Sequence, residues 1–195
     1  MARIERLYIQ PKTTPRLFDR PIQDIQRALA DRVTYLEHVF GRAERLVKEV
    51  EGRRYYSPNV YRGDREYISL LPDNDRLGNY CFFTVDEPEQ IVADMGMGDR
   101  LRAPFSLIVW VDMREVSQRD ERNTYQIELD ILNVLTSKGI TKTGGITVSR
   151  VYHKAENVFD GFTIDEIDNQ FLMSPYFGMR ITGEIYVDTD CLNVV

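Results

Sequence analysis

The 195 residues carry 25 Lys and Arg against 31 Asp and Glu, a net charge of −6, with 43% apolar and 29% charged residues. This is a globular composition that excludes disorder of the whole chain, and the acidic balance works against gripping nucleic acid by general electrostatics, which needs clustered Lys and Arg. The length suits one domain, 1–195, with room for a sizeable insertion, and is short for two. The longest unbroken apolar run, Leu107–Val111, is far below the roughly 20 residues of a membrane helix. MARIERLYIQPK at the start alternates charged and apolar residues and has no hydrophobic signal core. Cys81 and Cys191, far apart and without a secretory signature, read as reduced thiols of a soluble intracellular protein, with a bridge between them as the alternative.

In chain order, the first element predicted is a helix over Pro21–Phe40. Its apolar positions Ile22, Ile25, Leu29, Val33, Leu36 and Phe40 step by three and four. Asp19 is placed to cap it, Pro21 suits the first turn, and Gly41 stands where a helix-ending glycine belongs. The stretch Arg42–Arg54 mixes five basic residues with Glu44, Glu49 and Glu51 and reads as a solvated surface. Over Leu46–Asp86, aromatic residues between Pro58-Asn59, Arg62-Gly63-Asp64 and Pro72-Asp73-Asn74-Asp75 predict short antiparallel strands, an aromatic-rich β insertion at 46–86. Asp86–Gly98 reads as a turn with one helical turn at Pro88–Met95, its glycines marking a flexible connection.

Phe105–Met113 is apolar on both faces over Leu107–Val111 and belongs in the centre of a sheet. Asp120–Lys138 alternates like a strand at Tyr125, Ile127, Leu129 and Ile131, yet Ile127, Ile131 and Val134 repeat like a helix. Its length decides for a helix, with Asn123 and Gln126 as a capping pair and Gly139 ending it. Ile146–Tyr152 predicts a strand with Val151 opposite to Ile146, Val148 and Tyr152. Glu156–Met173 is irregular, with a helical turn around Thr163–Gln170 and capping-box spacing between Thr163 and Glu166. Phe177–Val187 closes the chain with a strand whose odd positions are apolar or glycine and whose even positions are mostly polar. The sum is an α+β fold: a mainly antiparallel sheet covered on one face by two helices, the even face of the last strand meeting water or another subunit.

Catalytic signatures are absent from the sequence. Gly96-Met97-Gly98-Asp99 lacks a third glycine, Gly139–Gly145 lacks the Lys-Ser/Thr of a phosphate loop, and no Gly-x-Ser-x-Gly elbow occurs. Asp73–Gly78 begins like a calcium loop but has Leu77 at a ligand position and Thr84 where the bidentate Glu belongs. His38, read as a surface or boundary residue of the first helix, and His153, at a strand end, lack zinc-site spacing. Cys81, in a Tyr-Cys-Phe-Phe strand, reads as core. The acids Asp112 and Glu115, with Asp165, Glu166 and Asp168, are the residues a divalent metal would need in a nuclease; the plainer reading is a strand end and a solvated loop. No catalytic, cofactor-binding or metal residue is assigned.

Three stretches together carry a resemblance: PFSLIVWVDM (Pro104–Met113), RNTYQIELDILNVL (Arg122–Leu135) and VYHKAENVFDGFTIDEIDNQFLMSPYFGMRITGEIYV (Val151–Val187). This strand–helix–strand–loop–strand series, about the second half of the chain, resembles small virion proteins of tailed bacteriophages and prophages, nearest in kind to tail-terminator or tail-completion proteins of the head–tail junction. It consists of hydrophobic and turn patterns, and the aromatic 46–86 region has no counterpart in it. The resemblance implies a non-enzymatic, ring-forming subunit, typically hexameric, assembled in the host cytoplasm into the virion. Such a ring stops tail-tube polymerisation and presents a surface to neck or connector proteins, with no cofactor, membrane or specific nucleic acid. Another neck component, a metal-dependent nuclease or other hydrolase using the acidic loop residues, and an intracellular small-molecule binding domain are the alternatives.

Overall fold

In the computed structural model, which describes residues 12–63, 66–72, 77–94, 98–116, 124–165, 167 and 169–188, the run Leu107–Val111 occupies the longest strand. The elements are α1 (Asp19–Arg32), β1 (His38–Arg42), β2 (Glu44–Val50), β3 (Arg53–Gly63), β4 (Glu66–Ser69), β5 (Tyr80–Val85), β6 (Gln90–Asp94) and β7 (Gly98–Asp112). There follow α2 (Met113–Val116), α3 (Thr124–Leu135), β8 (Gly145–Tyr152), α4 (Ala155–Val158), a 3-10 turn (Asn169–Leu172) and β9 (Tyr176–Asp188). β7 is the middle strand of a sheet ordered β1-β5-β7-β9-β8, and β6 pairs with its N-terminal part. Successive strand residues point to opposite faces, so a run that is apolar throughout needs cover on both. Leu107, Ile108, Val109 and Val111 are fully buried.

The pairings of this sheet are antiparallel except β1 with β5, which run parallel. One face gathers the odd-numbered residues Leu107, Val109, Val111, Met179, Ile181, Ile185 and Val187 against Ile22, Ile25 and Leu29 of α1 and Ile127, Ile131 and Val134 of α3. The molecule is therefore α+β, with a mainly antiparallel sheet covered on one face by two helices, and the odd-numbered rhythm of β9 exists because the helices lie on that side. The opposite face carries a second cluster, in which Ile108, Trp110, Tyr80 and Phe82 meet Val158, Phe159, Ile167 and Phe171 of the irregular 155–172 segment, with Ile68 and Leu70. The strands β2, β3 and β4 form a separate antiparallel three-stranded sheet. Its β2–β3 hairpin turns at Glu51 and Gly52, both at positive φ (51° and 77°), the conformation of a turn whose twist matches the flanking strands.

Several sequence expectations are corrected. The first helix ends at Arg32, and Gly41 lies inside β1 instead of ending the helix. The helical spacing runs on through Leu36 and Phe40, but the chain turns after Val33 and pairs His38 and Val39 with Tyr80 and Cys81 of β5. Val39 and Phe40 then enter opposite clusters, as neighbouring residues of a strand must. Asp19 stands in the first turn and not at the cap, which is Phe18; its carboxylate accepts from Lys12 at 2.7 Å. Gln90–Asp94 is a strand and not a helical turn, because it finds Asp99–Arg102 as its partner. Pro58 and Asn59 lie within β3 and do not divide two strands. In β8 the register shifts between Val148 and Arg150; the extra residue, Ser149, returns Val151 to the side of Ile146 and Val148, and all three pack on the helix-side cluster.

The second helix forms where its length predicts it, while its capping residue Asn123 lies outside the described residues, and Gln126 donates instead to Asp130 at 2.7 Å. Thr163 does not cap a helix: its hydroxyl accepts from the Tyr56 N–H (3.0 Å) and its N–H donates to the Tyr56 carbonyl (2.8 Å), fastening β3 to the irregular segment. Glu166 lies outside the described residues.

Candidate functional site

The acids that a metal hydrolase would need are engaged otherwise. The Asp112 carboxylate, at the buried end of β7, accepts from the Arg114 backbone N–H at 2.9 Å and from both Nε and Nη2 of the Arg114 guanidinium. These hydrogen bonds hold the Arg114 guanidinium well above its ordinary range. Arg114 also donates to the Tyr176 hydroxyl at 3.2 Å, tying β7 to the start of β9. Asp165 is exposed, and Glu166 and Asp168 lie outside the described residues. Among the described residues no group of three or more His, Cys, Asp or Glu is placed to hold a metal ion. The calcium-like run Asp73–Arg76 and the glycine at 96 also fall outside them.

His38 is buried, its ring stacked on Phe40 at 5.5 Å, which corrects the surface reading; the strand, not the helix, carries it inward. His153 follows β8, with Nε2 3.3 Å from the Glu128 carboxylate and its ring over Phe177. Cys81 is core as expected, fully buried, and burial pushes its thiol far above the usual range. The Gly139–Gly145 connection borders a depression of about 540 Å³ lined by Ile25, Lys138, Thr141, Thr147 and Tyr186 among others. Gly144 (φ 141°) passes so close to the Tyr186 carbonyl that a side chain would overlap it. No helix among the described residues is long and apolar enough to cross a membrane.

The even face of β9 divides in two. Gly178 lies beneath Trp110 and Val158, and Arg180 donates to Ser106 Oγ at 2.9 Å and to the Asp160 carbonyl at 2.8 Å, so this end is covered by the second layer. The expectation that the whole even face is open is corrected there. Glu184 is exposed, and Asp188 pairs with Arg100 at 2.8 Å.

The surface that stands out physically is the three-stranded sheet. Every residue of β2 is exposed, on both faces of the strand. Leu46, Val47 and Val50 are 36%, 56% and 38% exposed, and across the sheet Tyr61 and Tyr67 are 53% and 46% exposed with ring centroids 5.3 Å apart. Arg45 lies 4.1 Å over the Tyr56 ring, the mixed-charge surface expected of Arg42–Arg54. Among the described residues this sheet is anchored at its base, through Val60, Ile68, Leu70 and the Tyr56–Thr163 bonds. Among the described residues β2 is an edge strand, and an edge strand with apolar residues on both faces is a feature that soluble monomers usually blunt. A second exposed apolar pair lies on α3, where Tyr125 and Leu129, one turn apart, are 80% and 51% exposed. Sequence reasoning named the aromatic stretch but not its exposure. The exposure of β2 on both faces is set by the tertiary layout and not by a pattern in the strand.

Comparison with protein-family models and with curated proteins returns no match.

Proposed function

We propose that this chain is a non-enzymatic structural protein that works by assembling with copies of itself into a ring, of the tail-terminator kind at the head–tail junction of a tailed bacteriophage. The observation that carries the assembly half of this reading is β2, solvent-exposed on both faces and bearing Leu46, Val47 and Val50. Exposed apolar residues of this sort mark an interaction site, and among the described residues no layer covers this strand. The phage half rests on the resemblance of Pro104–Met113, Arg122–Leu135 and Val151–Val187, whose strand, helix and closing strand pack as one unit around the helix-side cluster. The role is geometric: one face of the ring matches the end of the tail tube and the other meets the neck, with no substrate transformed. The hydrolase alternative is not favoured, because Asp112 is spent on Arg114.

Light scattering on the purified chain tests the reading. A ring gives a single species near six times the 22.8 kDa chain mass, stable to dilution. A species of one chain mass at high concentration refutes it.

A further inference from the structure

We infer that the open face of the β2–β3–β4 sheet of one chain docks onto α3 of a second copy, a head-to-tail contact that closes into the ring; the inference rests on the assembly reading above. The register puts Leu46, Lys48 and Val50 opposite Ser57, Tyr55 and Arg53, and Tyr61 opposite Tyr67. Directly opposed residues share a face, so Leu46, Lys48, Val50 and Arg53 lie together at the hairpin end of the face that carries Tyr61 and Tyr67 at its other end, with Glu44, Asn59 and Ser69 between the two groups. The other face of the same sheet holds Val60 and Ile68, which pack on the second cluster. The open face is therefore the one turned away from the body.

The complement is α3. Its exposed Tyr125 and Leu129 are flanked by Glu128 and Asp130, and the helix Thr124–Leu135 contains no Lys or Arg. Both carboxylates are only partly buried; Glu128 reaches His153 and Asp130 accepts from Gln126, which holds the pair in place without covering it. An aromatic and aliphatic surface with a basic tip thus faces an aromatic and aliphatic surface with acidic flanks, and complementary charge fixes register and partner choice. The two surfaces cannot meet within one chain. The three-stranded sheet is rooted on the Trp110 side of the main sheet, whereas α3 covers the Leu107 side. A patch and its complement on opposite sides of one subunit produce a heterologous contact, which propagates until rotation closes it.

The test uses two variants of the full chain, both altered at exposed positions: a sheet variant (Leu46→Glu, Lys48→Glu, Val50→Glu) and a helix variant (Tyr125→Lys, Leu129→Lys). Circular dichroism and melting check that each folds. Light scattering then reads wild type, each variant, and their equimolar mixture. The inference predicts a ring for wild type, loss of the ring in each variant, and a one-to-one dimer in the mixture, since each variant keeps the surface the other lacks. If both variants keep the ring, the inference falls while the assembly reading stands. If both are monomeric and the mixture stays monomeric, the contact is not heterologous and the inference falls. A wild type that is itself monomeric refutes the assembly reading and this inference together. Should a triple variant fail to fold, Arg53→Glu alone weakens assembly and Asp130→Arg in the same chain restores it; no restoration overturns the pairing.

Discussion

Gly183 lies in the middle of β9, paired with Phe105 of β7 on one side and Val148 of β8 on the other. Its backbone is ordinary extended strand, so conformation alone would admit any residue. What forbids a side chain is the adjacent irregularity of β8: a Cβ at 183 would overlap the carbonyl oxygen of Thr147 and stand 2.9 Å from its carbonyl carbon and 3.0 Å from Phe105 Cε1. The first two are backbone atoms and cannot rotate away. Gly183→Ala must push β8 off β9 near the bulge or displace Phe105. Overpacking of this kind costs about 1–3 kcal/mol, and the loss of one or two ladder hydrogen bonds adds about 1 kcal/mol each. A total of about 3 kcal/mol lowers the melting temperature of a chain this long by roughly 6–12 °C. Gly41→Ala is the control, because its Cβ would meet only the end of the Gln26 side chain at 3.3 Å; its cost stays within about 1 kcal/mol. Differential scanning calorimetry of the two variants against wild type decides. A Gly183→Ala melt within 2 °C of wild type would refute the argument that the bulge, and not conformation, demands glycine.

Three further outcomes follow from the same structure. Cys81 does not react with thiol reagents in the native state and reacts on unfolding, read by mass spectrometry. Because burial raises its folded pKa, the unfolded chain releases the proton first. Stability is then fully present below the unfolded thiol value, about 8.5, and falls by up to about 1.4 kcal/mol per pH unit above it; urea midpoints between pH 7.5 and 10 show a shallower decline in Cys81→Ala. Leu107→Ala, at the fully buried centre of β7, costs about 2–5 kcal/mol in chemical denaturation. Asp112→Ala removes the acceptor of the Arg114 backbone and guanidinium and lowers stability by about 1–3 kcal/mol, with no metal-dependent cleavage of nucleic acid detected in either protein.

The parts of the fold legible in the sequence were those where one physical demand acts alone. Leu107–Val111 can be read as a central strand because only burial on both faces permits such a run, and the odd positions of β9 can be read because the helices lie on one side. The first helix is overextended because Leu36 and Phe40 keep a helical step after Val33 for a different reason: in the loop and in β1 they still need burial, Leu36 in the helix-side cluster and Phe40 in the other. β6 is hidden because Gln90–Asp94 becomes a strand only by pairing with Asp99–Arg102, an interaction between segments and not a property of either. The second layer over Trp110 is built from an irregular segment with no periodicity to read. The exposed apolar residues are hidden for the same reason, since the exposure of Leu46, Tyr61 and Tyr125 depends on how the other segments pack and not on their own pattern.

The central claim is that this chain functions by self-assembly, and negative-stain electron microscopy of the purified chain tests it most directly. The account predicts closed rings with one subunit count, near six, in every well-aligned class. A field of uniformly dispersed single chains at the same concentration would contradict it.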